Sequence, residues 1–118
     1  MKNALVYAYI GDSVYETYVR KYLIDKNITK VNVLQKESIK YVSAVSQCKI
    51  LQELVNNNIF TSDELDIIKW GRNAKGTKAK HADIITYRHA TSLECLIGYL
   101  YLSNNIERIN EIMSFILK

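Results

Sequence analysis

Two carboxylates stand where a helix would not ordinarily place them. Asp12 lies inside the stretch Tyr9-Ile10-Gly11-Asp12-Ser13-Val14-Tyr15-Glu16, whose apolar residues recur at helical spacing. Aspartate is a poor helix-interior residue, because its short side chain competes for backbone hydrogen bonds. Flanked by Ile10 and Val14, it is expected to be partly buried, and a buried carboxylate needs a cation or a metal ion beside it. Glu16 follows four residues later and shares its face, as does Ala8. Glu94 poses the same question between Leu93 and Cys95, with Leu96 and Ile97 following, and Thr91 lies on its face. Gly11 sits beside Asp12 and Gly98 one turn beyond Glu94, small residues that let two helices approach closely. Helices packed in that way would turn both carboxylates into one pocket, a donor set suited to Mg²⁺ or Mn²⁺. Periodicity alone leaves other readings open: Asp12 capping or pairing with a nearby lysine, and the two acids as unrelated surface residues.

Other chemistries find less support. No serine, histidine and acid, and no cysteine and histidine, fall into a nucleophile motif. There is no Walker-type or dinucleotide glycine pattern. Cys48 and Cys95 have no paired-ligand spacing and read as free thiols of a reducing cytoplasm. No run approaches the roughly 18 apolar residues of a membrane span, and the start of the chain lacks the apolar core of a signal peptide.

The net charge of +4 is unevenly spread. Between Ile67 and Ala90 lie Lys69, Arg72, Lys75, Lys78, Lys80 and Arg88, against Asp83 alone. The rest of the chain carries ten basic and eleven acidic residues. A local basic patch of this kind is either a solvated loop or a contact for a polyanion. His81 and His89 fall in or near it, where phosphate contact or plain exposure is expected before catalysis.

The elements that must position these residues are helices. The 118 residues contain no proline and four glycines, so the tight turns of an all-β fold are short of their usual residues. The length fits one domain, 1–118. Apolar spacing predicts a helix over about 3–25, its tyrosines serving the core and a subunit interface. A break at 27–29 follows, then a bent helical region over about 33–55 with a core face of Leu34, Ile39, Val42, Val45, Ile50, Leu51 and Leu54. A short helix over 62–72 is expected to start with Ser62 as its cap. Residues 73–82 read as an exposed basic loop. A helix over about 87–102 carries Glu94, and an amphipathic helix closes the chain after Asn104-Asn105.

At this point the residues resemble a family. The stretch 9–16 is similar to the signature helix of ribonuclease III catalytic domains. Glu94-Cys95-Leu96-Ile97-Gly98-Tyr99-Leu100-Tyr101-Leu102 resembles their second acidic helix. Gly71-Arg72-Asn73-Ala74-Lys75 and Ala82-Asp83-Ile84-Ile85-Thr86-Tyr87-Arg88 resemble the Mini-III subgroup. The resemblance covers nearly the whole chain. It implies an all-α, ribonuclease III-like endonuclease domain that works as a helical homodimer and lacks a separate double-stranded-RNA-binding domain. It implies Asp12 and Glu94 as catalytic, metal-binding residues, Mg²⁺ as cofactor and precursor large-subunit (23S) ribosomal RNA as substrate. Two further acids of full-length ribonuclease III are replaced, by Ala8 and Thr91. Fewer protein carboxylates then hold the metal, with Glu16 and Thr91 as supporting positions.

The chemistry joins up with this resemblance. Hydrolysis of an RNA strand needs an activated water and a counter to phosphate charge, and a divalent ion supplies both. Water as nucleophile, rather than the ribose 2′-hydroxyl, leaves 5′-phosphate products. A twofold dimer matches the antiparallel strands of a duplex. Arg72, Asn73, Lys75, Lys78, Lys80 and Arg88 would bind the RNA by shape, through phosphates and the shallow minor groove. Two readings of other classes stay open: a non-catalytic RNA-binding or ribosome-assembly module that uses the same patch, and a helical dimerisation protein whose patch is incidental. Metal-dependent cleavage of a duplex separates them from the nuclease.

Overall fold

The computed structural model describes residues 2–74 and 83–118. It is all-helical there: α1 Ala4–Asp25, α2 Val31–Val42, α3 Ala44–Asn56, α4 Ser62–Arg72, α5 Ile84–Leu102 and α6 Ile106–Ile116. Of the residues expected to bind RNA, Lys75, Lys78 and Lys80 lie outside the described residues, as does His81.

Local chemistry sets the helix ends. Asn3, Ser43 and Asp83 accept backbone N–H groups at the starts of α1, α3 and α5. Asn27, Asn58 and Asn104 adopt positive φ just after α1, α3 and α5 and let the chain turn away. Asparagine tolerates this left-handed conformation, and so does here what glycine more often does. The cap of α4 is Thr61 rather than the expected Ser62. Thr61 and Glu64 close a reciprocal capping box, which needs a glutamate three residues on, and Ser62 has Leu65 at that place. The α5 helix starts three residues earlier than expected, because Asp83 accepts from Thr86 N–H at 2.9 Å. The bent region is two helices, broken where Ser43 turns extended (φ −65°, ψ 153°) and caps α3.

The α5 helix is the centre. Its apolar residues run all round it, as a helix surrounded by others requires. α1, α3, α4 and α6 pack on it, and Leu93, Leu96 and Ile97 are fully buried. The core continues through Tyr15, Val19 and Leu23 of α1, Leu51 and Leu54 of α3, Ile68 of α4, and Ile109, Ile112 and Met113 of α6. Ile39 and Val45, expected in the core, are exposed in the single chain. The Ser43 break turns the stripes of α2 and α3 independently, so one continuous helical face does not describe both. The tyrosines of α1 also divide: Tyr7 and Tyr15 are buried, whereas Tyr9 is 83% exposed.

Candidate active site

The crossing of α1 and α5 brings the two carboxylates together. A Cβ at Gly11 would overlap the Glu94 carbonyl oxygen, and one at Gly98 would overlap the Tyr7 carbonyl oxygen. The two glycines therefore face the other helix's backbone directly. With Gly11 seated on Glu94, the neighbouring Asp12 is carried to the rim of the same junction. Asp12 is exposed, not partly buried as expected. Gly11 takes the contact side of α1, and the next residue is rotated about 100° away from it. Glu94 is half-buried.

The electrostatics match this geometry. Burial pushes the Glu94 carboxyl up to about 8, and the Asp12 carboxylate beside it adds to the rise. The Gln47 amide opposes the rise by donating Nε2–H to Glu94 Oε2 at 3.4 Å. Glu16 contributes a smaller repulsion and is itself paired with Arg20 at 3.0 Å. Ala8 and Thr91, one turn before each carboxylate, are buried. Neither Asp12 nor Glu94 has a basic side-chain partner among the described residues.

This donor set suits one kind of ion. Among the described residues no group of three or more His, Cys, Asp or Glu could hold a metal. Two oxygen donors that repel each other, at a rim open to solvent, fit a hard divalent cation that keeps several of its waters. They do not fit a zinc cage of nitrogen and sulfur. Cys95 is buried beside Gly71, its thiol pushed up to about 11 by burial, so it is a packing residue.

Three of the predicted RNA-binding residues also come together. Arg72 and Asn73 at the end of α4 and Arg88 of α5 line one small cavity of about 120 Å³ with Ile85 and His89. Glu94 lies five residues beyond His89 on the same helix, about 7.5 Å along its axis.

Sequence reasoning missed Gln47 and the role of Tyr15. Gln47 breaks the apolar stripe it shares with Leu51 and Leu54, four and seven residues on, and that break was the available signal. Tyr15 is fully buried three residues after Asp12 and donates its hydroxyl to the Tyr41 carbonyl at 2.8 Å. Burial pushes its phenol above the ordinary range, and the nearby Glu94 adds to this.

Comparison with known proteins agrees. A Ribonuclease III domain model matches residues 5–105. A Mini-ribonuclease 3 of Brevibacillus brevis is 50% identical over 96% of this chain and 84% of its own length. Mini-ribonuclease 3 of Staphylococcus aureus is 46% identical over 98% and 87%. That of Streptococcus pneumoniae is 41% identical over 96% and 89%. A crystal structure of a Fusobacterium nucleatum protein superposes with a TM-score of 0.86 at 27% identity, covering 97% of this chain and 92% of that one. With acids on two crossing helices, a helical fold and relatives that match nearly end to end, the chain belongs to the ribonuclease III family, in its Mini-ribonuclease 3 group, and is an endoribonuclease.

Proposed function

We propose that this endoribonuclease is metal-dependent and hydrolyses double-stranded RNA, with Asp12 and Glu94 as its catalytic pair. One observation carries the reading: the glycine-matched crossing of α1 and α5 sets two mutually repelling carboxylates side by side with no basic partner among the described residues. Such a pair is costly in a folded protein unless a cation joins it. A bound Mg²⁺, or Mn²⁺ in its place, would supply water activation and a counter to phosphate charge.

The chain's own residues do the rest. Asp12 at the open rim and Glu94 behind it would hold the ion. Glu16, fixed by Arg20, adds negative potential nearby, and Thr91 supports the Glu94 turn of α5. The cavity of Arg72, Asn73, Arg88 and His89 offers two guanidinium groups to a phosphate of the bound strand. Lys75, Lys78 and Lys80 extend that charge in the sequence.

The substrate is assigned as precursor 23S ribosomal RNA and the site of action as the cytoplasm, both on the family likeness. Among the described residues no helix is long and apolar enough to cross a membrane. The active form is assigned as a homodimer of single-domain chains, one catalytic pair per strand. The exposed Tyr9 and the groove lined by Ile10, Ser13, Val14, Thr17, Tyr18 and Tyr101 support an interface along α1.

The test is cleavage of a long RNA duplex with and without Mg²⁺. Cuts in both strands with 5′-phosphate ends, lost on chelation, are expected. Binding of the duplex without cleavage at any Mg²⁺ concentration would overturn the reading in favour of a binding module.

A further inference from the structure

Gln47 is 1% exposed and lies on the core side of α3. An amide in such a place costs stability unless both of its ends are bonded. Only one end is. Nε2 donates to the Val42 carbonyl at 3.3 Å and to Glu94 Oε2 at 3.4 Å. Oε1 is buried with no donor among the described residues. A methionine of similar shape would fill the space without that orphan. Packing alone therefore gives no reason for the amide.

The break between α2 and α3 supplies one. Where Ser43 turns extended, the last carbonyls of α2 lose the amides that would follow in a continuous helix. Two of them are used from the interior. The Tyr41 carbonyl accepts from Tyr15, three residues after Asp12, and the Val42 carbonyl accepts from Gln47, which reaches Glu94. The helices carrying both carboxylates are thus tied to one kink.

We infer that Gln47 is a positioning residue of the catalytic centre: anchored on the Val42 carbonyl, it donates to the Glu94 carboxylate and fixes the rotamer in which Glu94 and Asp12 take a divalent cation together. This rests on the metal-dependent reading above. The amide is neutral, so it orients Glu94 without competing for it as a lysine or arginine would. A buried cation at position 47 would neutralise the pair and remove its attraction for the ion.

Mn²⁺ binding to the metal-free full chain, read by electron paramagnetic resonance without RNA, tests this apart from turnover. Gln47→Met should weaken Mn²⁺ binding about tenfold, the usual effect of losing a partner that orients a metal-binding side chain. Its thermal midpoint should stay equal or rise, because the orphan acceptor is gone. Gln47→Asn is one methylene shorter and fits without overpacking, so it serves even if the methionine variant does not fold. It should weaken Mn²⁺ binding similarly, since its amide cannot span Val42 and Glu94 together. Folded variants with wild-type Mn²⁺ affinity would overturn the inference, as would a lower thermal midpoint with unchanged affinity. If wild-type Mn²⁺ binding survives both Asp12→Asn and Glu94→Gln, the metal-site reading itself fails, and the inference with it.

Discussion

Glu64 and Glu94 are the same side chain in two enclosed places, and the fold treats them oppositely. Glu64 is 8% exposed and completely bonded. Arg108 donates Nε to one carboxylate oxygen and Nη2 to the other, each at 2.7 Å, and Thr61 N–H donates at 3.0 Å. Arg108 also reaches the Ile59 carbonyl and Glu111, so the pair ties α6 to α4 and to the segment before it. Burial pushes the Glu64 carboxyl upward, but Arg108 and Thr61 outweigh it and hold the group below the usual range. Glu94 has one amide donor and a second carboxyl for company, and its proton affinity rises instead. A buried carboxylate with its counterion inside the chain is architecture. One whose neighbours leave it short of positive charge is, on the proposed reading, where an external cation binds.

The largest difference should be in turnover. Asp12→Asn and Glu94→Gln should each lower duplex cleavage by at least about 10³-fold, a loss typical of removing groups that act as a unit, with fold and RNA binding kept. Glu64→Gln should leave cleavage by the folded protein near wild type. Single-turnover rates beside circular dichroism check this. A cleavage loss in Glu64→Gln equal to that in Glu94→Gln would erase the comparison.

In stability the order reverses. Arg108→Met leaves Glu64 enclosed without its cation and should cost roughly 3 kcal/mol. Glu94→Gln should cost nothing in the metal-free protein, since the amide needs neither the proton nor the charge that Glu94 must carry there. Urea unfolding measures both. A destabilised Glu94→Gln would show that its charge is part of the scaffold.

The pH dependence has opposite signs for the two groups. The folded Glu64 value lies below its ordinary 4.5. Its contribution is therefore whole above about pH 4.5 and is lost as pH falls through the folded value. The folded Glu94 value, about 8, lies above its ordinary 4.5. Between those values the folded state keeps a proton that the unfolded chain has released, so metal-free stability falls as pH rises through that window. Thermal midpoints should decline in the wild type from pH 5 to 8. Glu94→Gln should flatten the curve. An equal decline in that variant would assign the slope to other groups.

The smallest effect concerns the basic cavity. Arg72→Ala with Arg88→Ala should weaken duplex binding by the Asp12→Asn protein. The slope of log affinity against log salt should become shallower by roughly 1.8, at about 0.9 per lost phosphate contact on a B-form DNA scale. An unchanged slope would place the phosphate contacts elsewhere.

The reach of the sequence differs from element to element. Helix periodicity, the breaks at 27–29 and at Asn104-Asn105, and the paired glycines beside Asp12 and Glu94 were legible, because each is a local or one-helix property. Matching Gly11 with Gly98 correctly anticipated the crossing that joins the acids. The exposure of Asp12 was not legible, since periodicity identifies a helix but not which side of it a neighbour will take. Nor was Glu64, an ordinary capping-box residue until α6 brings Arg108 across 44 positions of chain. Residue types and spacing by themselves determined that two acids would ride on two closely packed helices. Only the tertiary structure decided which glutamate would be neutralised from within and which would be left with Asp12, because a counterion or an amide such as Gln47 arrives from another helix, and no local pattern specifies what lies across a crossing.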